Sequence, residues 1–153
     1  MTRSKKTKPP AISDAATQYA LEVVAGERIA GPHVRSQCAR HLRDIESGHK
    51  RGLVWKVEAA EKAQGFFEDV LKLNGGDFEG KPFALLPWQR FVVGSLFGWY
   101  GMDGFRRFRN AYIETAKGSG KSPLAAGVGM LGLVADNEPR AEIYSAATKK
   151  DQA

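Results

Sequence analysis

Thr115-Ala116-Lys117-Gly118-Ser119-Gly120-Lys121-Ser122 restricts the fold more tightly than any other stretch of this chain. Asn110-Ala111-Tyr112-Ile113-Glu114 reads as a buried strand entering it, and residues 124–135 as an apolar helix leaving it. Strand, loop and helix in that order are the setting of a phosphate-binding loop. Gly118 and Gly120 let the backbone curl until successive N–H groups face phosphate oxygens. Lys121 would reach the β and γ phosphates, and the Ser122 hydroxyl would ligate Mg²⁺. The helix N-terminus adds partial positive charge beneath the same anion. Pro123 fits a first helical turn, where its missing N–H is not needed. The usual pattern, G-x-x-x-x-G-K-[ST], has glycine where Thr115 stands, so the setting carries the reading. The alternative is a glycine-rich turn with a solvated lysine, and the two apolar flanks argue against it.

After that helix, residues 136–139 turn the chain into Ala141-Glu142-Ile143-Tyr144-Ser145-Ala146, a second expected strand. Strand, helix, strand makes a parallel βαβ unit with a right-handed crossover. Thr148 with Asp151 resembles the cap of a further helix. The expected fold class is therefore α/β, an incomplete P-loop NTPase core, preceded by an α-helical N-terminal segment. In that segment Ser13 or Asp14 caps a first helix with Ala16, Tyr19, Ala20, Val23 and Val24 on one face and Gly26 near its end. Gly31-Pro32 opens a second, with Val34, Cys38, Leu42 and Ile45 at helical spacing and Gly48 stopping it. A third spans 55–73 and ends at the turn 74–77. A fourth starts at Pro87 and carries Trp88, Phe91, Val92, Leu96 and Trp99. The expected divisions are a disordered basic tail at 1–12, the helical segment at 13–80 and the first part of the ATPase core at 81–153.

The 153 residues carry a net charge of +6 and a pI near 9.5, which favours polyanionic partners. Arg3, Lys5, Lys6 and Lys8 supply part of it from the tail. One cysteine, Cys38, excludes an internal disulfide, fits a reducing compartment, and falls on an apolar helix face. No apolar run reaches the ~18 residues of a membrane span. His33, His41 and His49 lack the neighbouring carboxylates of a metal site.

Binding a nucleotide is not hydrolysing it. Turnover needs a strand-borne acid to hold Mg²⁺ and a group to orient water. Asp136 closes the helix that Lys121 opens, roughly 20 Å away at 1.5 Å per residue. Glu142 and Asp151 lack a preceding apolar strand. No residue of this sequence fits the metal-holding acid, which predicts no appreciable turnover by this chain. Gln89, at a helix start upstream of the loop, is either a surface residue or an adenine reader, since a carboxamide matches the N6/N7 edge of adenine. Lys117 is either solvated or a neutraliser of transition-state charge.

Leu86-Pro87-Trp88-Gln89, then Glu114 through Ser122, then Tyr144-Ser145-Ala146-Ala147-Thr148-Lys149-Lys150-Asp151-Gln152-Ala153, together resemble the large subunit of tailed-bacteriophage terminases. Ala16-Thr17-Gln18-Tyr19-Ala20 and Cys38 through Asp44 are similar too, so the resemblance runs from about residue 14 to the end. It implies part of an ATP-driven motor that packages double-stranded DNA into procapsids, using ATP and Mg²⁺. The implied partners are double-stranded DNA, a terminase small subunit, a portal protein and further copies in a homo-oligomeric ring, in the host cell cytoplasm and without a membrane. By the same resemblance Pro87, Trp88 and Gln89 form the adenine motif. Thr115, Ala116, Lys117, Gly118, Ser119, Gly120, Lys121 and Ser122 hold the nucleotide, Ser122 the metal, and Lys117 serves catalysis. Many members carry Arg where Lys117 stands, and Lys makes a less bidentate phosphate contact. The family's Walker B aspartate, catalytic glutamate, coupling motif and RNase H-like endonuclease have no counterpart in this sequence. The other readings are a different nucleic-acid ATPase, such as a helicase, and a truncated product without turnover.

Overall fold

Asp14 caps the first helix, because its carboxylate does what a first turn needs. Its Oδ1 accepts from the backbone N–H groups of Ala16 at 3.1 Å and Thr17 at 2.9 Å, pairing donors a helix start leaves free. A computed structural model describes residues 14–137 and 139–146. Helix α1, Ala15–Ala25, ends on Gly26 in the left-handed conformation, and α2, Pro32–Ser47, begins on its proline, as expected. A 3₁₀ turn, Gly48–Arg51, leads to strand β1, Leu53–Trp55. Helix α3 is Val57–Gly65, α4 Pro87–Gly98, β2 Trp99–Gly101 and α5 Lys121–Val134. Ser13, the tail at 1–12 and the Thr148–Asp151 cap lie outside the described residues. Among the described residues no helix is long and apolar enough to cross a membrane.

Two boundaries differ from expectation for one reason. Trp55 was expected to open the third helix and Trp99 to close the fourth; instead they face each other across the antiparallel pair β1–β2. Their rings lie 5.2 Å apart, and each indole N–H reaches a buried acceptor. Trp55 Nε1 donates to Asp14 Oδ2 at 3.2 Å and Trp99 Nε1 to His41 Nδ1 at 3.0 Å. Satisfying both indoles while stacking them stabilises the hairpin over a helical extension. The third helix also changes character: Phe66–Val70 is one π-helical turn, with Leu71 N–H donating to the Phe66 carbonyl at 3.3 Å. Residues 71–83 then fold back through an antiparallel bridge between Lys72 and Pro82.

The parallel βαβ unit is corrected more strongly. Residues 110–114 and 141–146 form no strand, and the sheet among the described residues is the two-stranded antiparallel β1–β2. Strand-like sequence needs a partner ladder and a face to bury. Neither segment has one here: Tyr112 is 88% and Tyr144 86% exposed.

Two apolar clusters share α4. The front one joins Ala16, Tyr19, Ala20 and Val23 of α1 to Cys38 and Phe91. The rear one joins Ala63, Phe67, Phe83, Leu85, Val93 and Phe97 to Leu124 and Leu131 of α5. Trp88 packs against both.

Between α1, α2 and the hairpin lies a buried polar chain. The Trp99 indole can only donate, so His41 Nδ1 accepts and the ring proton sits on Nε2. That nitrogen donates to Thr17 Oγ1 at 3.0 Å, and the Thr17 hydroxyl donates to Asp14 Oδ2 at 2.6 Å. Burial pushes His41 down to about 4, against the opposing pull of Asp14 and Asp44. For Asp44 burial acts upward, yet Arg107 and Arg51 together outweigh it and hold the carboxyl below its ordinary value.

Candidate functional site

The position of the loop is fixed from behind, by α5. Leu124 and Leu131 bury one stripe of this helix, and between them Gly127 touches Phe67. A Cβ at Gly127 would lie 2.2 Å from Phe67 Cε1, so only a bare backbone approaches the ring this closely. Phe67 is itself fully buried and reaches that place from the π-helical turn. The helix N-terminus is thereby seated on the rear cluster.

From that seat the loop closes on itself. Gly118 and Gly120 take φ of +79° and +78°, the left-handed region that side chains disfavour. The Gly120 carbonyl accepts from Leu124 N–H at 3.0 Å and starts α5. Lys121 folds back so that Nζ donates to the carbonyls of Thr115 at 2.7 Å and Ala116 at 2.9 Å. Ser119 Oγ donates to the Ala116 carbonyl at 2.7 Å and is hydrogen-bonded to Thr115 Oγ1. The side chain standing where the common pattern has glycine thus ties the loop's two limbs together.

In front lies a hollow of about 530 Å³ lined by Lys117, Gly118, Gly120, Lys121, Ser122 and Pro123. Two ammonium groups, a hydroxyl and a helix N-terminus face it, and among the described residues no carboxylate is in its lining. That donor set fits a polyphosphate. A divalent cation would find one protein ligand, the exposed Ser122 hydroxyl, and would take its other oxygens from phosphate and water. Among the described residues no group of three or more His, Cys, Asp or Glu is placed to hold a metal.

The residues at the start of α4 divide. Pro87 is the first helical residue and exposed, and Trp88 is half-buried as the bridge between the two clusters. Gln89 is 3% exposed. Its Oε1 accepts from Leu86 N–H at 2.9 Å, and its Nε2 lies 3.3 Å from where a Cβ on Gly120 would stand. The chain fold thus brings Gln89 against the loop from twenty-six or more residues upstream in sequence. Lys117 is exposed at the rim of the hollow. Asp136 lies beyond the opposite end of α5, paired with Arg106 at 2.5 Å.

What the sequence reading missed is the support. Phe67 and Gly127 were read only as members of helices, Asp14 as a candidate cap, Thr17 only within a family-like stretch, and His41 only as lacking the carboxylates of a metal site. Gly127 carried a faint signal, as a glycine in mid-helix with no turn to make.

Residues 87–153 match the family model described as "Terminase large subunit, ATPase domain". No curated protein and no solved structure matches the chain. The matched stretch begins at the first residue of α4 and takes in Gln89, the loop and α5. Over this segment, a little under half of its length, the chain is similar to the ATPase domain of terminase large subunits.

Proposed function

We propose that the chain binds ATP with Mg²⁺ at residues 115–122, as the front part of a P-loop ATPase core, and that the protein it represents drives double-stranded DNA into procapsids. One observation supports this most: two left-handed glycines and a folded-back lysine stand at the mouth of a hollow that opens on the N-terminus of a seated helix. In this reading Lys121 exchanges the Thr115 and Ala116 carbonyls for phosphate oxygens. The backbone N–H groups of 118–122 line the same anion, Ser122 ligates the metal, and Lys117 neutralises charge on the transferred phosphoryl group. Gln89, with Pro87 and Trp88 setting its helix, reads adenine. Mg²⁺ when bound screens the phosphates and polarises the terminal phosphoryl group. The βαβ strands at 110–114 and 141–146 form when further strands of the ATPase sheet lie beside them. Endonuclease action, the small subunit, the portal and a homo-oligomeric ring belong to the same proposal, in the host cytoplasm.

Titration with a fluorescent ATP analogue tests it. Lys121→Ala should weaken binding roughly a hundredfold, losing two charge-assisted contacts worth ~1.5 kcal/mol each. Equal affinity in Lys121→Ala and the parent would remove the nucleotide site from this loop. Steady hydrolysis by this chain should be negligible, because no carboxylate among the described residues lines the hollow.

A further inference from the structure

Arginines gather in the second half of α2, where the carboxylates are the buried Asp44 and the exposed Glu46. The guanidinium carbons of Arg40 and Arg107 lie 5.2 Å and 4.9 Å from the centre of one ring, Phe108. Arg107 also stands over Trp99 at 5.5 Å. The carboxylate among them is Asp44, and its two oxygens are already taken, by Arg107 Nη1 at 2.6 Å and by Arg51. Arg43, exposed, lies three residues along α2 from Arg40. Neither Arg40 nor Arg43 makes an ion pair with a described residue.

These four groups do two different jobs. Arg51 and Arg107 have a structural task, since they bind Asp44 to the 3₁₀ turn and to the segment returning after β2. Arg40 and Arg43 have none of that kind. Burial first and Arg107 second lower the proton affinity of Arg40, with Asp44 opposing and Arg43 adding to the repulsion. Arg107 and Arg43 both repel Arg40 while Arg107 and Arg51 occupy the oxygens of Asp44, an electrostatic cost that an external anion would relieve. The Phe108 ring beneath it restricts the Arg40 side chain, so less side-chain freedom is lost when it pairs. Planar, pre-set guanidiniums suit the regularly spaced phosphates of a duplex better than the scattered carboxylates of an acidic protein.

We propose that Arg40 and Arg43, backed by Phe108 and Arg107, form a contact for the phosphodiester backbone of double-stranded DNA. The surface shares no residue with the hollow at 117–123. It rests on the DNA-handling part of the proposed function and not on the nucleotide site. Contact is to phosphate alone, so it is independent of base sequence and sensitive to salt.

The test is fluorescence anisotropy of a short mixed-sequence duplex across a salt series, with the parent chain, Arg43→Gln, and Arg40→Gln with Arg43→Gln. The double variant should bind roughly tenfold more weakly, and its log–log salt slope should be shallower by about 1.8, or 0.9 per lost phosphate contact. Arg43→Gln, an exposed change, should flatten the slope by about 0.9. A set neutralising Arg3, Lys5, Lys6 and Lys8 separates the basic tail, and should leave the Arg40/Arg43 increment intact. Unchanged slope and affinity in both arginine variants would overturn this surface while leaving DNA handling in place. Absence of duplex binding by the parent would overturn both. Pair-dependent binding to polyglutamate or to phosphatidylserine vesicles without duplex binding would likewise overturn it. Nucleotide binding, read in the same samples, should be unaffected.

Discussion

Around His41 the side-chain polar atoms are buried and bonded to one another across three elements; around Lys121 they are bonded only within their own loop. The Trp99–His41–Thr17–Asp14 chain links residues far apart in sequence, so loosening any of them loosens the front of the molecule. The loop instead borrows its rigidity from one helix seated on one aromatic ring. A ligand arriving at the loop therefore competes with two lysine–carbonyl hydrogen bonds, not with the core. Stability and ligand affinity should answer to different residues.

The sharpest way to break that contrast is Phe67→Ala. It empties the rear cluster and unseats α5, and should cost about 3–5 kcal/mol in chemical denaturation. A loss below about 1 kcal/mol would mean that α5 is held elsewhere. Next comes acid. His41 goes from an ordinary 6.5 in the unfolded chain to about 4 in the fold. The unfolded state therefore takes up a proton before the native state does. Stability should be full above pH 6.5 and fall as pH drops towards 4, by about 3 kcal/mol at 1.36 per pH unit. Asp44, lowered from 3.8, loses its contribution only below that window. Urea midpoints measured across it should fall in the parent and stay flat in His41→Gln; a parallel fall in both would assign the acid response to other groups. Gly127→Ala forces a methyl against Phe67 and should cost about 1–3 kcal/mol. It should also speed amide exchange in α5 more than in α1 or α2, whereas uniform acceleration would make the two regions one cooperative unit. Smallest is Arg106→Gln. Its pair with Asp136 is partly solvated, with side-chain exposures of 35% and 25%, so about 0.5 kcal/mol is expected.

Legibility followed the reach of the forces involved. Asp14, Gly26, Pro32, Gly48 and Pro87 act within a turn of themselves, and each stands at a helix boundary in the structure. Trp55 and Trp99 were misplaced because helical periodicity fits them as well as hairpin pairing does. Their choice is made by Asp14 and His41, each dozens of residues away in sequence. Residues 110–114 and 141–146 have the composition of strands, but composition cannot supply the neighbour a strand needs. At the candidate site the glycines and lysines were legible from their pattern. The nearness of Gln89 to Gly120 was not, because it depends on how α4 and α5 share the rear cluster.

That nearness makes the start of α4 a mechanical follower of the loop. The oxygen of the Gln89 amide accepts from Leu86 N–H, and its nitrogen lies so near Gly120 that a methyl there would press it back. If Gly120 shifts as a ligand settles, the carboxamide has to slide or tilt, and the first turn of α4 feels the push. Since α4 is the beam shared by both clusters, a displacement that begins in the loop has a packed path to the front cluster.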